Sequence, residues 1–208
     1  MKIYVVGSTK NNFLPLDSIR DKYLIDATHT EYNIDFLNRW FCELTGLYYL
    51  WKHNTDDIIG LEHYRRYFVD DNNRLLNVNH ISNILNTHDI ILRKYVFPPD
   101  KSTALKHFSA ERKPYLMDFI SRIEPDIAKY LYNKLNTSTY FAQCNMFIGK
   151  RSIIDIYCQW LFTRLTRIPF DSFIKSPRII GYLAEFVFGF WLEYYKYDIY
   201  WCKSITLS

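Results

Sequence analysis

The stretch FCELTGLYYLWKHNTDDIIGLEHYRRYF, residues Phe41 to Phe68, changes its hydrophobic period midway, and that change sets the fold class. Leu44, Leu47, Tyr48 and Trp51 follow i, i+3, i+4, i+7 spacing, the mark of a helix burying one face. Asn38 stands ahead of it as a cap, and the helix should end near His53 and Asn54. Ile58, Ile59 and Leu61 then make a strand too continuously apolar for a half-exposed edge, hence an internal one. It runs out into His63, Tyr64, Arg65 and Arg66. Two guanidiniums, an imidazole and a phenol at the carboxyl end of a buried strand suit an anionic ligand, because open α/β sheets bind ligands at that edge. The arginine fork matches phosphate through paired hydrogen bonds. Strand alternation places His63 and Arg65 on one face and Tyr64 and Arg66 on the other. The competing reading is a surface strand end whose arginines pair with Glu62, Asp70 or Asp71.

A second helix–strand unit follows, with a helix over Val78 to Leu85 and a strand over Asp89 to Leu92 that ends at Arg93 and Lys94. Repetition of that unit predicts an α/β fold with a mostly parallel sheet flanked by helices. At the N-terminus, Lys2 to Val6 is a β-branched strand breaking into Gly7, Ser8 and Thr9. Its backbone N–H groups can face a ligand, although a plain N-terminal strand reads the same way. Residues 10–38 are irregular and polar, with short elements around Leu16 to Arg20 and Lys22 to Ile25, as in a loop that lines a site. After Phe97-Pro98-Pro99, residues 101–135 read as helical, with Pro114 and Pro125 as interruptions or helix starts. This segment would be a helical lid or subdomain of one domain spanning 1–208. Tyr140 to Ile148 is a further strand, Ser152 caps a helix through Phe162, Arg178 to Tyr195 is a long helix, and Ile199 to Cys202 a closing strand.

Aromatic residues make up 18% of the chain, so many rings must lie on half-buried or ligand-facing surfaces. The net charge of +4 is a mild excess that fits anionic small molecules or anionic headgroups. It falls short of the dense basic patch of a nucleic-acid domain, so nucleic acid is not expected as a partner. Cys42, Cys144, Cys158 and Cys202 lie far apart with no C-x-x-C pair, which argues for free thiols and against zinc. The N-terminal apolar run is too short for a signal peptide, and no window approaches a membrane span. A cytoplasmic protein is expected.

Within Arg178 to Glu185 (RIIGYLAE), Gly181 allows close approach at a helix start and Glu185 could take a proton from a sugar hydroxyl. An ordinary exposed helix glutamate fits the same residues. Glu43 and Thr45 precede the apolar stripe of their helix and could face ligand or solvent. His29 and His107 have no partner at metal-ligand spacing and read as structural or solvent-exposed. No H-E-x-x-H, G-x-S-x-G, Walker or G-x-G-x-x-G motif occurs, and no D-x-D. A bound pyrophosphate would therefore be neutralised by arginine and histidine, with no metal site or cofactor.

Four blocks, FCELTGLYYLWKH, DIIGLEHYRRYF, CNMFIGKRSIIDIYCQWLF and GYLAEFVFGFWL, together resemble the bacterial capsular and exopolysaccharide glycosyltransferase family, domain of unknown function 4422. The likeness runs from about Asn33 to Leu192 with the blocks in order, and H-Y-R-R-Y is its specific element. It implies a glycosyltransferase-A-like nucleotide-sugar-binding fold, a nucleotide-sugar donor, and a glycan or lipid-linked acceptor reached at the inner face of the membrane. Carried over by position, donor contacts would be Gly7, Ser8, Thr9, Lys10, Glu43, Thr45, His63, Tyr64, Arg65, Arg66, Asn145, Gly181 and Tyr182, with Glu185 and His63 catalytic. The chain departs from the family pattern twice: Gly7-Ser8-Thr9-Lys10 lacks a histidine, and Phe186 stands where relatives commonly have arginine. A non-catalytic binder of nucleotide sugar or glycan is the alternative, and single-stranded nucleic-acid binding the most distant one.

Overall fold

The computed structural model describes residues 1–101, 103–169 and 175–207; residue 102, inside the expected lid, lies outside them. The first half of the chain holds β1 (Lys2–Gly7), β2 (Arg20–Leu24), the one-turn helix α1 (Asn38–Phe41), α2 (Leu44–His53), β3 (Ile58–His63), β4 (Arg66–Phe68), α3 (Val78–Leu85) and β5 (Ile90–Val96). There follow α4 (Ala104–His107), α5 (Lys113–Ser121), α6 (Pro125–Thr137), β6 (Tyr140–Lys150), α7 (Arg151–Leu165), α8 (Ile179–Tyr194), β7 (Ile199–Cys202) and β8 (Ser204–Thr206).

The sheet runs β2-β1-β3-β6-β5-β7, with β4 and β8 attached beyond β3. Along that path only β6 opposes its neighbours, while β3–β4 and β4–β8 add antiparallel pairs, so the expected helix-flanked α/β sheet is present as a mixed one, with three parallel and four antiparallel pairings. Strand alternation divides the core in two. On β5, Ile90 and Leu92 join the larger cluster with α2, α7 and α8, while Ile91 joins Ile81 and Leu85 of α3 on the other face. On β6, Phe147 faces the first cluster, and Met146 and Ile148 face the second. Phe108, Leu116, Phe119 and Leu131, from residues 101–135, are buried in the same larger cluster.

Several elements follow the sequence closely. α3 spans Val78–Leu85, capped by Asn77, whose side chain accepts from the His80 N–H. Pro114 and Pro125 sit in the first turns of α5 and α6, where a missing N–H costs nothing. Others differ. Asn38 opens the separate turn α1; Cys42, at φ 52°, breaks the chain there, and α2 starts after Glu43. Ser152 lies inside α7, which begins at Arg151. β2 spans the junction of the two short elements expected in the loop and pairs parallel with β1.

The hairpin is the main correction. β3 does not simply run out; it turns through Tyr64 and Arg65 into β4, with His63 paired directly opposite Arg66. Residues opposed in an antiparallel pair project to the same side, so His63 shares its face with Arg66 rather than with Arg65. The buried Arg20–Glu62 pair holds the hairpin's base. The Arg20 Nε lies 2.7 Å from Glu62, whose other oxygen accepts from the Phe68 N–H at 2.9 Å. Among the described residues no helix is long and apolar enough to cross a membrane.

Candidate functional site

β1 and β3 lie side by side and parallel, and the chain leaves β1 toward β2 on one side and returns to β3 on the other. Such a switch point opens a crevice at the carboxyl ends of the strands. Val6 pairs with His63, which brings Gly7 against the start of the hairpin. A Cβ on Gly7 would meet Phe13 at 2.6 Å and the Tyr64 Cβ at 2.8 Å, so the close approach requires glycine.

The crevice is a cleft of about 670 Å³, a volume ordinary for small-molecule sites, which run from about 300 to 1,000 Å³. Of the residues expected from sequence, Gly7, Glu43, His63, Tyr64, Arg65, Arg66, Tyr182 and Glu185 line it together. Gly181 lines a small adjoining recess. Ser8, Thr9 and Lys10 fall outside the cleft lining. The Ser8 N–H donates to Asn11 Oδ1 at 2.6 Å, and the Thr9 N–H and hydroxyl both donate to Asp26. Thr45 is fully buried, its hydroxyl donating to the Cys42 carbonyl at 2.9 Å. Asn145 sits behind the wall, its amide donating to Glu43 Oε1 and to the Gly181 carbonyl, both at 3.1 Å.

Five arginines line the cleft: Arg39, Arg65, Arg66, Arg112 and Arg178. None of them forms an ion pair with a carboxylate among the described residues, whereas five of the seven arginines elsewhere do: Arg20, Arg74, Arg122, Arg151 and Arg164. Of the three carboxylates proposed as surface partners, Glu62 is taken by Arg20 and Asp70 by Arg74, and Asp71 forms no ion pair with a cleft arginine among the described residues. Three atoms of cleft residues are buried without a hydrogen-bond partner, namely Asn38 Oδ1, Arg66 Nε and Gln143 Oε1, while His63 Nε2 faces Glu43 Oε1 at 3.6 Å. Buried polar groups are nearly always satisfied, so such a cluster awaits a ligand's polar groups.

Two carboxylates form the floor. Burial raises the Glu43 carboxyl, but the His63 ring, 3.6 Å away, together with its own backbone N–H and the Asn145 amide, outweighs burial and holds it below its ordinary value. Glu185 goes the other way. Burial first and the neighbouring Glu43 charge second push it up to about 7, against the pull of the Cys144 N–H, Arg66 and Arg178. Its Oε1 accepts from that N–H at 2.7 Å. A carboxyl placed this way can accept a proton near neutral pH.

The backbone is bent to build this floor. In β6, residues 143–146 stand opposite the single residue Arg93, a wide irregularity that re-aims the strand. Cys144 and Asn145 inside it have φ of 69° and 50°. With Cys42 and Arg178, at 52° and 65°, four non-glycine residues with positive φ surround the cleft. Each costs on the order of 1–3 kcal/mol, and such strain concentrates at functional sites.

Sequence reasoning gave no site role to Arg39, Arg112 and Gln143, read Asn38 only as a cap, and had Arg178 only as the first residue of the RIIGYLAE segment; the five come from separate segments with no shared motif. It also left His107 outside the site; His107 lines the cleft beside Phe108, Phe141 and Phe186. Phe186, standing where relatives carry arginine, stacks on Phe141 at 4.4 Å and closes an aromatic wall.

A family model described as a domain of unknown function (DUF4422) matches residues 2–196. No curated protein matches the chain. Among solved structures, the apo structure of WbbM, a bifunctional glycosyltransferase, superposes with a TM-score of 0.81 at 20% identity. That match covers all of this chain and 45% of the WbbM chain, so the present chain spans less than half of that protein. At this identity the likeness shows the fold, a glycosyltransferase-like α/β architecture.

Proposed function

The chain belongs to the family described as a domain of unknown function (DUF4422), and from that premise we propose that it is a glycosyltransferase. It would move a sugar from a nucleotide-sugar donor to a glycan or lipid-linked acceptor in surface-polysaccharide synthesis. The observation that carries the reading is the set of unpaired cleft arginines above a floor glutamate whose carboxyl is pushed up to about 7.

In this reading the donor diphosphate lies against the hairpin, with Arg65 and Arg66 as its forked donors. His63, held by Glu43, adds a donor to the leaving phosphate. In an inverting transfer the acceptor hydroxyl oxygen forms the new bond to the anomeric carbon. The bond from that carbon to the diphosphate oxygen breaks, its electron pair leaves with the nucleoside diphosphate, and the hydroxyl proton passes to Glu185. Arginines stabilise the charge that develops on the leaving group, and preorganised donors of this kind usually supply most of the rate enhancement in such a site. Asn38 and Gln143 would take hydroxyl hydrogens of the sugar. Neutralisation by arginine means that no divalent metal is required.

The test separates catalysis from binding. Glu185→Gln should abolish transfer while leaving nucleotide-sugar affinity within a few-fold of the wild type. A variant with undiminished transfer removes Glu185 from the chemistry. Nucleotide-sugar binding without transfer in the wild-type protein would favour the non-catalytic alternative.

A further inference from the structure

The five cleft arginines divide by the elements that carry them. Arg65 and Arg66 stand on the β3–β4 hairpin. Arg39 lies in α1, Arg112 immediately before α5, and Arg178 immediately before α8, all on helical walls. The second group is tied together. The Arg178 N–H donates to the Arg39 carbonyl at 2.8 Å. The guanidiniums of Arg112 and Arg178 both lie over the ring of Tyr182, at 4.0 and 5.2 Å from its centroid. Contact with one aromatic ring offsets part of the repulsion between two cations and helps hold their forks in place. Glu185 lines the same cleft and feels Arg66 from one group and Arg178 from the other.

Charge matching shows that one diphosphate is too little for this cleft. A sugar-linked diphosphate brings about two negative charges, and each arginine fork can take one phosphate group in a bidentate fashion, so the hairpin pair matches it. Glu43, ionised and bonded to Asn145, offsets one more cation. Glu185, ionised as the base, offsets another, so about one positive charge stays in surplus on the helical group, none of whose arginines forms an ion pair among the described residues. We propose that Arg39, Arg112, Arg178 and Tyr182 form a second anion subsite, and that the acceptor delivered to Glu185 bears a phosphate group. The proposal rests on the transferase reading and adds to it the chemical class of the acceptor. Donor diphosphate on the hairpin and acceptor phosphate on the helical wall leave the reacting hydroxyl over Glu185.

The experiment titrates inorganic pyrophosphate, by calorimetry, into protein already saturated with a nucleoside diphosphate. The expected result is one further equivalent bound. Arg112→Gln and Arg178→Gln should each weaken that second equivalent about 10- to 100-fold, the worth of one charge-assisted bond, while shifting nucleoside diphosphate affinity less than about threefold. Arg65→Ala with Arg66→Ala should do the reverse. Arg112 makes no side-chain cap bond at its helix start, so its variant reports on the subsite even if Arg178→Gln fails to fold. Displacement of nucleoside diphosphate by pyrophosphate at a single site would overturn the proposal, as would equal loss of both ligands in the helical-wall variants. Pyrophosphate binding that depends on Arg112 in a protein that binds no nucleoside diphosphate would sink the transferase reading and leave the subsite standing. Decyl phosphate, compared with inorganic phosphate and with a neutral decyl glycoside, identifies the source. Tighter binding of decyl phosphate than of both others assigns a lipid-linked phosphate, equal binding of the two phosphates assigns a soluble one, and preference for the neutral glycoside contradicts the subsite.

Discussion

Replacing Glu185 by glutamine should stabilise the protein, and by an amount that depends on pH. The Glu185 carboxyl is pushed from its ordinary 4.5 up to about 7, by burial first and by Glu43 second. At roughly 1.4 kcal/mol per pH unit, that displacement corresponds to about 3 kcal/mol. The sign follows from proton linkage. Because the folded state holds the proton more tightly, nothing is lost below pH 4.5, where both states are protonated. Between 4.5 and about 7 the unfolded chain ionises and the folded one resists, so stability falls with rising pH, and above 7 the full penalty stands. Glutamine keeps an oxygen for the Cys144 N–H and carries no charge to desolvate. Thermal unfolding of both proteins across the range from mildly acidic to mildly alkaline pH should therefore show equal midpoints at the acid end. At the alkaline end the variant should lead by roughly 6 to 12 °C, taking about 2–4 °C per kcal/mol for a chain of this size. Transfer by the wild type should rise around pH 7, at the upper edge of that window, as the base in the folded protein ionises. A constant offset across the range, or a variant less stable than the wild type at the alkaline end, would refute the assignment of strain to this carboxyl.

Three other perturbations follow from the same geometry. Arg20→Met leaves Glu62 buried and unpaired beneath the hairpin and should cost about 3–5 kcal/mol in urea unfolding, with much of it regained when Glu62→Leu is added; a loss under about 1 kcal/mol would count against the pair. Gly181→Ala sets a methyl 3.2 Å from both the Cys42 Cβ and the Phe41 carbonyl, and overpacking of about 1–3 kcal/mol there, offset by the roughly 1 kcal/mol that alanine gains in a helix, should leave a net loss of up to about 2 kcal/mol in the same unfolding curves. Transfer should survive a chelator at full rate; a loss restored by added divalent ion would show that the arginines do not neutralise the diphosphate alone.

The legibility of this chain differs between its elements for physical reasons. β1, β3 and α3 announce themselves because their apolar spacing is local, and the cap of α3 lies next to it in sequence. The hairpin escapes because its two-residue turn, Tyr64 and Arg65, carries none of the Gly, Asn or Asp that usually mark such turns; reading His63 to Arg66 as extended then gave the wrong pair of faces. The widened segment of β6 hides inside a strand-like run, YFAQCNMFI, whose composition says nothing of the left-handed φ at Cys144 and Asn145. Glu185 was readable as a residue but not as a perturbed one, since its burial and its neighbour Glu43 come together only through the packing of α8 on β6. Arg39, Arg112 and Arg178 were silent because each is an ordinary surface arginine until three helical segments bring them to one wall.

Calorimetric titration of nucleotide sugars into the wild-type protein and the Arg65→Ala/Arg66→Ala variant, in buffer free of divalent metal, tests the central claim most directly. The account predicts about one equivalent of one donor bound by the wild type. With two charge-assisted bonds lost at about 1.5–3 kcal/mol each, the variant should bind it at least about 10²-fold more weakly. No binding of any nucleotide sugar, or binding indifferent to the two arginines, would contradict it.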